Sequence, residues 1–133
     1  MTPQEFFKKD LFADKVGVEL LEIKEGYSKA SLLIKEEHLN AGHRTQGGAL
    51  FTLADLALAA ANSHGALAFS LSSNITFLRS SGPGDILYAE ARERYAGRST
   101  GYYQIDITNQ KGELIATFES SVFRKGDTLP FTL

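Results

Sequence analysis

The stretch over residues 47–62 is the feature that most limits how this chain can fold. It reads GGALFTLADLALAAAN, and Asp55 is its only ionisable residue. The segment is rich in strong helix formers, and a helix that is apolar on nearly all sides has to be covered by other elements. It is too short to cross a bilayer, which takes about 20 apolar residues. We therefore predict a core helix over residues 47–62.

Asp55 is costly in this setting, because a buried carboxylate without a partner is unstable as the charged form. The helix also opens with Gly47 and Gly48, which leave backbone N–H groups exposed at the positive end of the helix dipole. A carboxylate and oxyanion donors on one helix suggest catalysis. Taken alone, Asp55 is better explained as a structural group bonded to backbone or water, and the glycines could serve close packing.

The rest of the chain predicts an antiparallel sheet wrapped around this helix, an α+β fold. A first helix begins after the N-cap Thr2 and ends near Ala13. A polar loop over residues 38–46 leads into the long helix, and alternation is clearest at Tyr103, Ile105 and Ile107. The predicted strands cover residues 16–24, 27–35, 66–78, 86–95, 101–108 and 114–123, with turn residues between them.

Composition limits the function classes. A length of 133 residues suits one domain over residues 1–133, and a formal net charge of -2 without a basic stripe disfavours nucleic acid and anionic membranes as partners. The chain has no cysteine, which excludes disulfides and thiolate metal sites and suits the cytoplasm. His38 and His43 share a loop, but two histidines without an organised carboxylate set predict no metal site. No cofactor is expected.

The residues around the long helix resemble a known family. Asn40, then Gln46, Gly47 and Gly48, then Asp55 are similar in order and spacing to the Asn, His-Gly-Gly and Asp signature of the hotdog-fold acyl-CoA thioesterases of the phenylacetate-pathway (PaaI-like) type. Segments 61–63, 74–78 and 84–85 also fit. Gln46 stands where this family usually has histidine, and a glutamine forms hydrogen bonds but cannot act as an acid, a base or a cation.

The resemblance implies hydrolysis of a CoA thioester to a free acid and CoA. The Gly47 N–H would polarise the thioester carbonyl, Asp55 would activate water or attack directly, and Asn40 would orient the water. It also implies that CoA lies along the edges near Arg79 and Arg98. The implied substrate-binding and CoA-binding residues are Gly48, Ser70, Arg79, Gly84, Arg98, Ser99 and Thr100.

Basic residues near hairpin ends are the candidates for the CoA phosphates, although solvated surface charge explains most residues of this kind equally well. These candidates are Arg79, Arg98, Lys111, Arg124 and Lys125. The acyl pocket is expected along the helix at Phe51, Leu56 and Ala59, and it would take an aryl-acetyl group or a medium-chain acyl group.

Helix geometry predicts that the active site is shared between subunits. Asp55 lies eight residues after Gly47, about 12 Å along a helix that rises 1.5 Å per residue. One carboxylate cannot reach a carbonyl held at the Gly47 N–H of its own helix. We therefore expect a homodimer with two composite sites, and the family resemblance adds a dimer of dimers.

Two alternatives to hydrolysis stay open. A hotdog hydratase would need a histidine paired with its carboxylate, and neither His43 nor Gln46 fits that role well. A non-catalytic module that binds or senses acyl-CoA would explain the glutamine at position 46 as lost chemistry.

Overall fold

One 15-residue helix lies against a six-stranded antiparallel sheet, as seen in a computed structural model that describes residues 1–62 and 65–133. The helices are α1 (Pro3–Phe7), α2 (Leu11–Val16) and α3 (Gly47–Ala61), with a 3-10 turn at Glu36–His38. The strands are β1 (Glu19–Lys24), β2 (Tyr27–Leu33), β3 (Ala66–Phe77), β4 (Ile86–Ala96), β5 (Thr100–Thr108) and β6 (Leu114–Thr128). The α+β prediction of a sheet around one long helix is confirmed.

The sheet has the strand order β1-β2-β4-β5-β6-β3, and every neighbouring pair is antiparallel. Alternation along β5 places Tyr103, Ile105 and Ile107 in the core, while Gln104 and Asp106 face solvent. The side chains on the inner face of the sheet cover α3, whose Leu53, Ala54 and Ala57 are fully buried. The helix therefore has its apolar sides covered by the sheet, as its sequence requires.

One face of α3 stays open in the described chain. Its members are Gly48, Phe51, Thr52, Asp55 and Ala59, which repeat at helical spacing and are exposed or half-buried. We call this set the open face of α3. These side chains are open to contact with a ligand or a second subunit.

The N-terminal region differs from the prediction of one helix that ends near Ala13. The chain forms two short helices, because Asp10 starts a new one by accepting a hydrogen bond from the Ala13 N–H at 3.1 Å. Thr2 caps α1 as predicted, with the capping box completed by Glu5. The break lets α2 turn across the start of α3.

Strand β6 is longer than the predicted 114–123. It runs to Thr128 because its second half pairs with the start of β3, where Ala68 lies opposite Arg124 and Ala66 opposite Thr128. Pairing across the sheet here overrides a local composition that is typical of a turn. Ser63 of the family-like segment 61–63, and His64, lie outside the described residues.

Candidate active site

The N-terminus of α3 presents one free backbone donor. Gln46 is the N-cap, and its Oε1 accepts the Gly48 N–H at 2.5 Å, while its backbone oxygen accepts the Ala49 N–H at 2.9 Å. No group in residues 1–62 and 65–133 accepts the Gly47 N–H. This donor lies at the positive end of the helix dipole, which is a favourable place for a developing negative charge.

Gly47 lies directly against an aromatic side chain. A Cβ at this position would come within 2.8 Å of Cζ of Phe77. The aromatic ring therefore lies directly against the helix start, and a larger residue would displace it. The close packing expected of this glycine and its free N–H occur together.

Asn40 shapes the loop before the helix. Its Oδ1 accepts the N–H groups of Gly42 at 2.9 Å and Arg44 at 3.1 Å, and its own N–H donates to the Arg44 carbonyl at 2.8 Å. The side-chain Nδ2 has no partner in the described chain. Asn40 is thus a turn-forming residue whose remaining amide donor is available.

A cavity of about 390 Å³ brings three of the predicted site residues together. They are Asn40, Gly47 and Arg79, and we call this space the Asn40 cavity. Its remaining lining residues are Arg44, Thr45, Leu50, Phe77, Leu78, Ser80 and Ser81. Two arginines make this side of the helix start positively charged, and the exposed Phe77 and Leu78 add apolar surface to the lining.

A second cavity of about 450 Å³ lies on the other side of the helix start. Gln46 and Gly48 belong to it rather than to the Asn40 cavity. Its remaining lining residues are Phe12, Val16, Glu37, His38, Leu39, Ala49, Phe51 and Thr52. We call it the Phe12 groove, and it is mainly apolar.

Asp55 stands on the open face of α3, half-buried and without a hydrogen bond or ion pair to any described residue. Burial raises the pKa of its carboxyl group, and the negative charge of Asp10 at the start of α2 raises this pKa further. A raised pKa suits a general base that must take a proton from water. Asp55 lines neither cavity, which agrees with its distance from Gly47 along the helix.

The remaining predicted residues lie elsewhere. Ser70 is exposed on the edge strand β3, where it pairs with Val122, and Gly84 is exposed in the loop before β4. Arg98, Ser99 and Thr100 are exposed at the β4–β5 turn. None of these five lines the Asn40 cavity or the Phe12 groove.

Arg124 was a candidate for phosphate binding, but the structure places its side chain in a buried network. The guanidinium group donates to Asn62 Oδ1 at 2.8 Å and to the carbonyls of Gly97 and Thr100 at 3.1 and 3.0 Å. It also pairs with Glu93 at 3.4 Å. The network ties the end of α3 to the β4–β5 turn and leaves little of Arg124 for a ligand.

Tyr103 completes this network and shows what sequence reasoning missed. Its hydroxyl donates to Glu93, and Arg124 Nη2 lies 3.3 Å from its oxygen. Burial raises the pKa of Tyr103, with the Glu93 hydrogen bond as the second cause. The strand alternation predicted that Tyr103 faces the core, but no local signal named its partners on β4 and β6.

The three residues predicted to line the acyl pocket lie in different places. Phe51 lines the Phe12 groove and Ala59 is exposed on the open face of α3. Leu56 is buried beneath α1 and α2, in a cleft that it shares with Phe7 and Val18, so it cannot line a pocket on the open face.

His38 has a structural place. Its Nδ1 accepts the Lys35 N–H at 2.9 Å, and its Nε2 lies 2.6 Å from the Val16 carbonyl, to which it donates. It therefore joins the loop before α3 to α2. Within the described ranges, no group of three metal-binding side chains is arranged to hold an ion, and no helix is long and apolar enough to cross a membrane.

Comparison with known proteins gives consistent matches. The sequence model of the thioesterase superfamily matches residues 45–116. Acyl-coenzyme A thioesterase PaaI of Escherichia coli is 36% identical over 124 residues, which cover 92% of this chain and 89% of that protein. The solved structure of E. coli PaaI superposes with a TM-score of 0.89 at 34% identity, over 93% of this chain and 91% of that chain.

Two further solved structures agree. A mutant of the phenylacetic acid degradation protein PaaI from Thermus thermophilus has a TM-score of 0.84 at 30% identity, over 87% of this chain and 100% of that chain. The smu.793 protein of Streptococcus mutans, bound to acetyl CoA, has a TM-score of 0.77 at 26% identity, over 85% of this chain and 92% of that chain.

Proposed function

The chain belongs to the thioesterase superfamily, and from that membership and the geometry of α3 we propose that it hydrolyses acyl-CoA thioesters. The observation that carries the proposal is the pair of unsatisfied groups on one helix. In the described chain, the Gly47 N–H has no acceptor and the Asp55 carboxylate has no donor. A thioester carbonyl and a water molecule supply the two missing partners.

The reaction follows from these two groups. The Gly47 N–H and the helix dipole polarise the thioester carbonyl, and Asp55 takes a proton from water as the oxygen adds to the carbonyl carbon. The tetrahedral intermediate places its oxyanion on the Gly47 N–H. Its collapse breaks the C–S bond, releases the acid, and returns a proton to the CoA thiolate.

Asn40 and Gln46 assist without titrating. The free Nδ2 of Asn40 lies in the cavity that contains Gly47, where it can orient water or the substrate. Gln46 Oε1 is held by the Gly48 N–H, which leaves its Nε2 as a neutral donor at the rim of the Phe12 groove. Because neither amide changes charge with pH, Asp55 alone sets the acid limb of the pH profile.

A second subunit completes the site. Strand β3 has 12 residues and only one neighbour in the sheet, and it exposes Phe69, Leu71 and Phe77. A long apolar edge of this kind is protected by pairing with another strand. Pairing of β3 with β3 of a second copy about a two-fold axis brings the open faces of the two helices together. Asp55 of each helix then approaches Gly47 of the other, and dimers of this kind pair further into a tetramer.

The test is replacement of Asp55 by asparagine, which keeps the shape and removes the base. We expect release of free CoA thiol from phenylacetyl-CoA and from straight-chain acyl-CoAs to be lost, with the fold and oligomeric state retained. Asp106→Asn, an exposed acid on the outer face of the sheet, is the matched control and keeps wild-type turnover. Unchanged turnover in Asp55→Asn would refute the mechanism.

The pH dependence gives an independent check. The kcat/KM rises as Asp55 loses its proton, so its acid limb lies above the ordinary pKa of aspartate.

The free energy of unfolding changes with pH in the opposite direction. The neutral carboxyl stabilises the fold below its ordinary pKa, and this stability is lost as pH rises through the raised pKa. Asp55→Asn is therefore more stable than wild type at neutral pH, and the difference closes in acid, as thermal unfolding at several pH values would measure.

Mixing two inactive variants tests the shared site. If Asp55→Asn and a Gly47 variant are unfolded and reassembled together, each mixed dimer contains one intact site and one doubly defective site. Statistical mixing then restores about a quarter of wild-type turnover. No recovery, with mixed dimers present by mass spectrometry, would place Asp55 and Gly47 of one subunit in the same site.

The alternatives give different outcomes in the same assays. A non-catalytic acyl-CoA binding or sensing module binds the thioesters without turnover, and a hydratase consumes an unsaturated acyl-CoA without releasing thiol.

Transfer of oxygen from labelled water in a single turnover distinguishes water activation by Asp55 from direct attack by Asp55. Direct attack by Asp55 forms an acyl-aspartyl anhydride, and water that then attacks its aspartyl carbonyl leaves an enzyme oxygen in the released acid, whereas water activation leaves none. The cytoplasm stays the predicted compartment.

A further inference from the structure

One wall of the Asn40 cavity is held in place by a turn that lies outside it. The loop between β3 and β4 (residues 78–85) supplies Leu78, Arg79, Ser80 and Ser81 to the cavity lining. The turn between β5 and β6 (residues 109–113) lines neither this cavity nor the Phe12 groove, yet its side chains bind both ends of the loop. The position of Arg79 is therefore set in part by residues that do not reach the cavity.

Glu113 pairs with Arg79 at the first end of the loop. Its Oε2 lies 3.1 Å from Nη1 of Arg79. In the described part of the chain no other group accepts from the Arg79 guanidinium, so most of its donors stay available to a ligand. Arg44 is the second cation of the cavity, and among residues 1–62 and 65–133 its side chain contacts only carbonyls of its own loop, at 3.4 and 3.5 Å. Arg79 is thus the cation that the fold orients.

Glu113 is itself held by a buried neighbour. Asn109 is only 8% exposed, and its Nδ2 donates to Glu113 Oε1 at 2.9 Å, while its Oδ1 accepts the N–H groups of Lys111 and Glu113 at 3.0 Å each. The hydrogen bond from Asn109, and then the charge of Arg79, lower the pKa of Glu113, which keeps it ionised at neutral pH. A carboxylate that is already fixed loses less side-chain entropy in an ion pair, so it orients its partner better than a free one does.

Gln110 holds the second end of the loop. Its Nε2 donates to Asp85 Oδ1 at 2.9 Å, and its Oε1 accepts the Ile86 N–H at 3.1 Å. Asp85 Oδ2 in turn accepts the Gly82 N–H at 2.9 Å. The loop is therefore fixed at both ends by side chains of one turn.

The middle of the loop is joined to the start of α3. Ser81 is buried, its carbonyl accepts the Thr45 N–H at 3.0 Å, and its hydroxyl donates to Thr45 Oγ1 at 2.7 Å. Thr45 precedes Gly47 by two residues. Because Arg79 and Gly47 line the same cavity, a substrate whose carbonyl lies at the Gly47 N–H also meets the charge of Arg79.

We propose that Glu113 is a positioning residue of the active site, which fixes the guanidinium of Arg79 inside the Asn40 cavity for contact with the substrate. This inference rests on the proposed function and deepens it. An acyl-CoA is an anion, so a cation that is already oriented lowers the cost of binding it. Glu113 lines neither cavity and acts through Arg79. Because both side chains of the pair are exposed, loss of Glu113 should change substrate binding rather than folding.

The experiment measures kcat and KM for phenylacetyl-CoA in wild type, Glu113→Ala and Glu36→Ala. We expect Glu113→Ala to raise KM about fivefold and to keep kcat within about twofold of wild type, because the contact is equally present in the bound substrate and in the transition state. Glu36→Ala is the matched control, since it removes the same charge from an exposed acid that lines neither cavity, and it should change neither constant. If Glu113 merely screens the charge of Arg79, its removal lowers KM, and that result would overturn the inference.

A double-mutant cycle with Arg79→Ala tests the route of the effect. If Glu113 acts through Arg79, Glu113→Ala should change KM by less than about 1.5-fold in the Arg79→Ala background. An equal rise of KM in both backgrounds would contradict the positioning role. So would a melting temperature of Glu113→Ala more than about 5 °C below wild type, which would show a general loss of structure.

Calorimetry with a thioether analogue of phenylacetyl-CoA, which cannot be hydrolysed, separates this inference from the proposed function. We expect Glu113→Ala to bind the analogue about fivefold more weakly than wild type, whether or not wild type hydrolyses thioesters. Weaker binding by Glu113→Ala without turnover by wild type would overturn hydrolysis and support the positioning of Arg79. Turnover by wild type with equal binding of the analogue to both proteins would overturn this inference alone. Neither turnover nor binding by wild type would overturn both.

Discussion

Replacing Arg124 with methionine removes one buried charge that holds several distant segments together. The side chain is only 8% exposed, and its guanidinium donates to Asn62 at the end of α3. It also donates to the carbonyls of Gly97 and Thr100, and it pairs with Glu93, whose side chain is 16% exposed. Methionine fills much of the same space but donates nothing.

The expected cost can be worked out from these contacts. Removing one partner of a buried ion pair costs roughly 3–5 kcal/mol, because the other charge loses its compensation. Glu93 keeps the hydrogen bond from Tyr103, so the lower end of the range applies. We expect Arg124→Met to lower the free energy of unfolding by about 3 kcal/mol.

Urea denaturation at one fixed protein concentration measures this value. Lys125→Met is the matched control, because Lys125 is the next residue and is exposed, and its cost should stay below about 0.5 kcal/mol. A double-mutant cycle with Glu93→Gln should give a coupling energy above roughly 1 kcal/mol. An Arg124→Met protein within about 1 kcal/mol of wild type would refute the reasoning, since the network would then contribute no more than surface contacts do.

Two further predictions concern the active site. Gly47→Ala places a Cβ against the Phe77 ring, which is exposed and can move, so we expect kcat to fall by about 100-fold with little change in the melting temperature. A fall in kcat accompanied by a clearly lower melting temperature would indicate a folding defect instead. Asp10→Asn keeps a side chain that can cap α2 but removes the charge that raises the pKa of Asp55, so the acid limb of kcat/KM should move to lower pH. Asp14→Asn on the same helix should not shift it, and equal profiles for all three proteins would contradict the role of Asp10.

The central helix shows how well local pattern predicts a buried element. Fourteen apolar or small residues around one aspartate leave few structures open, and α3 begins at Gly47 as predicted. The strand alternation likewise gave the correct faces of β5. The separate start of α2 was harder to predict. Thr2 has a complete capping box and is the stronger signal for a helix start, whereas Asp10 is marked only as a single capping residue.

The order of Asn40, Gly47 and Asp55 along the chain indicated the family, and comparison with known proteins confirmed it. The catalytic roles of these residues remain predictions. The structure adds that Asn40 and Gly47 share one cavity with Arg79, whereas Asp55 lies apart from it. Spacing along a helix predicted this separation, because the rise per residue is fixed by backbone hydrogen bonds.

The sequence by itself determined the buried helix, the antiparallel sheet and the family signature, because each depends on residues that are close together in the chain. Tertiary structure alone decided that Arg124 is buried, that β6 extends along β3, and that Phe12 lies beside the start of α3. These contacts join residues that are far apart in the chain. Their energies come from burial and pairing across the fold, which no local pattern of residues encodes.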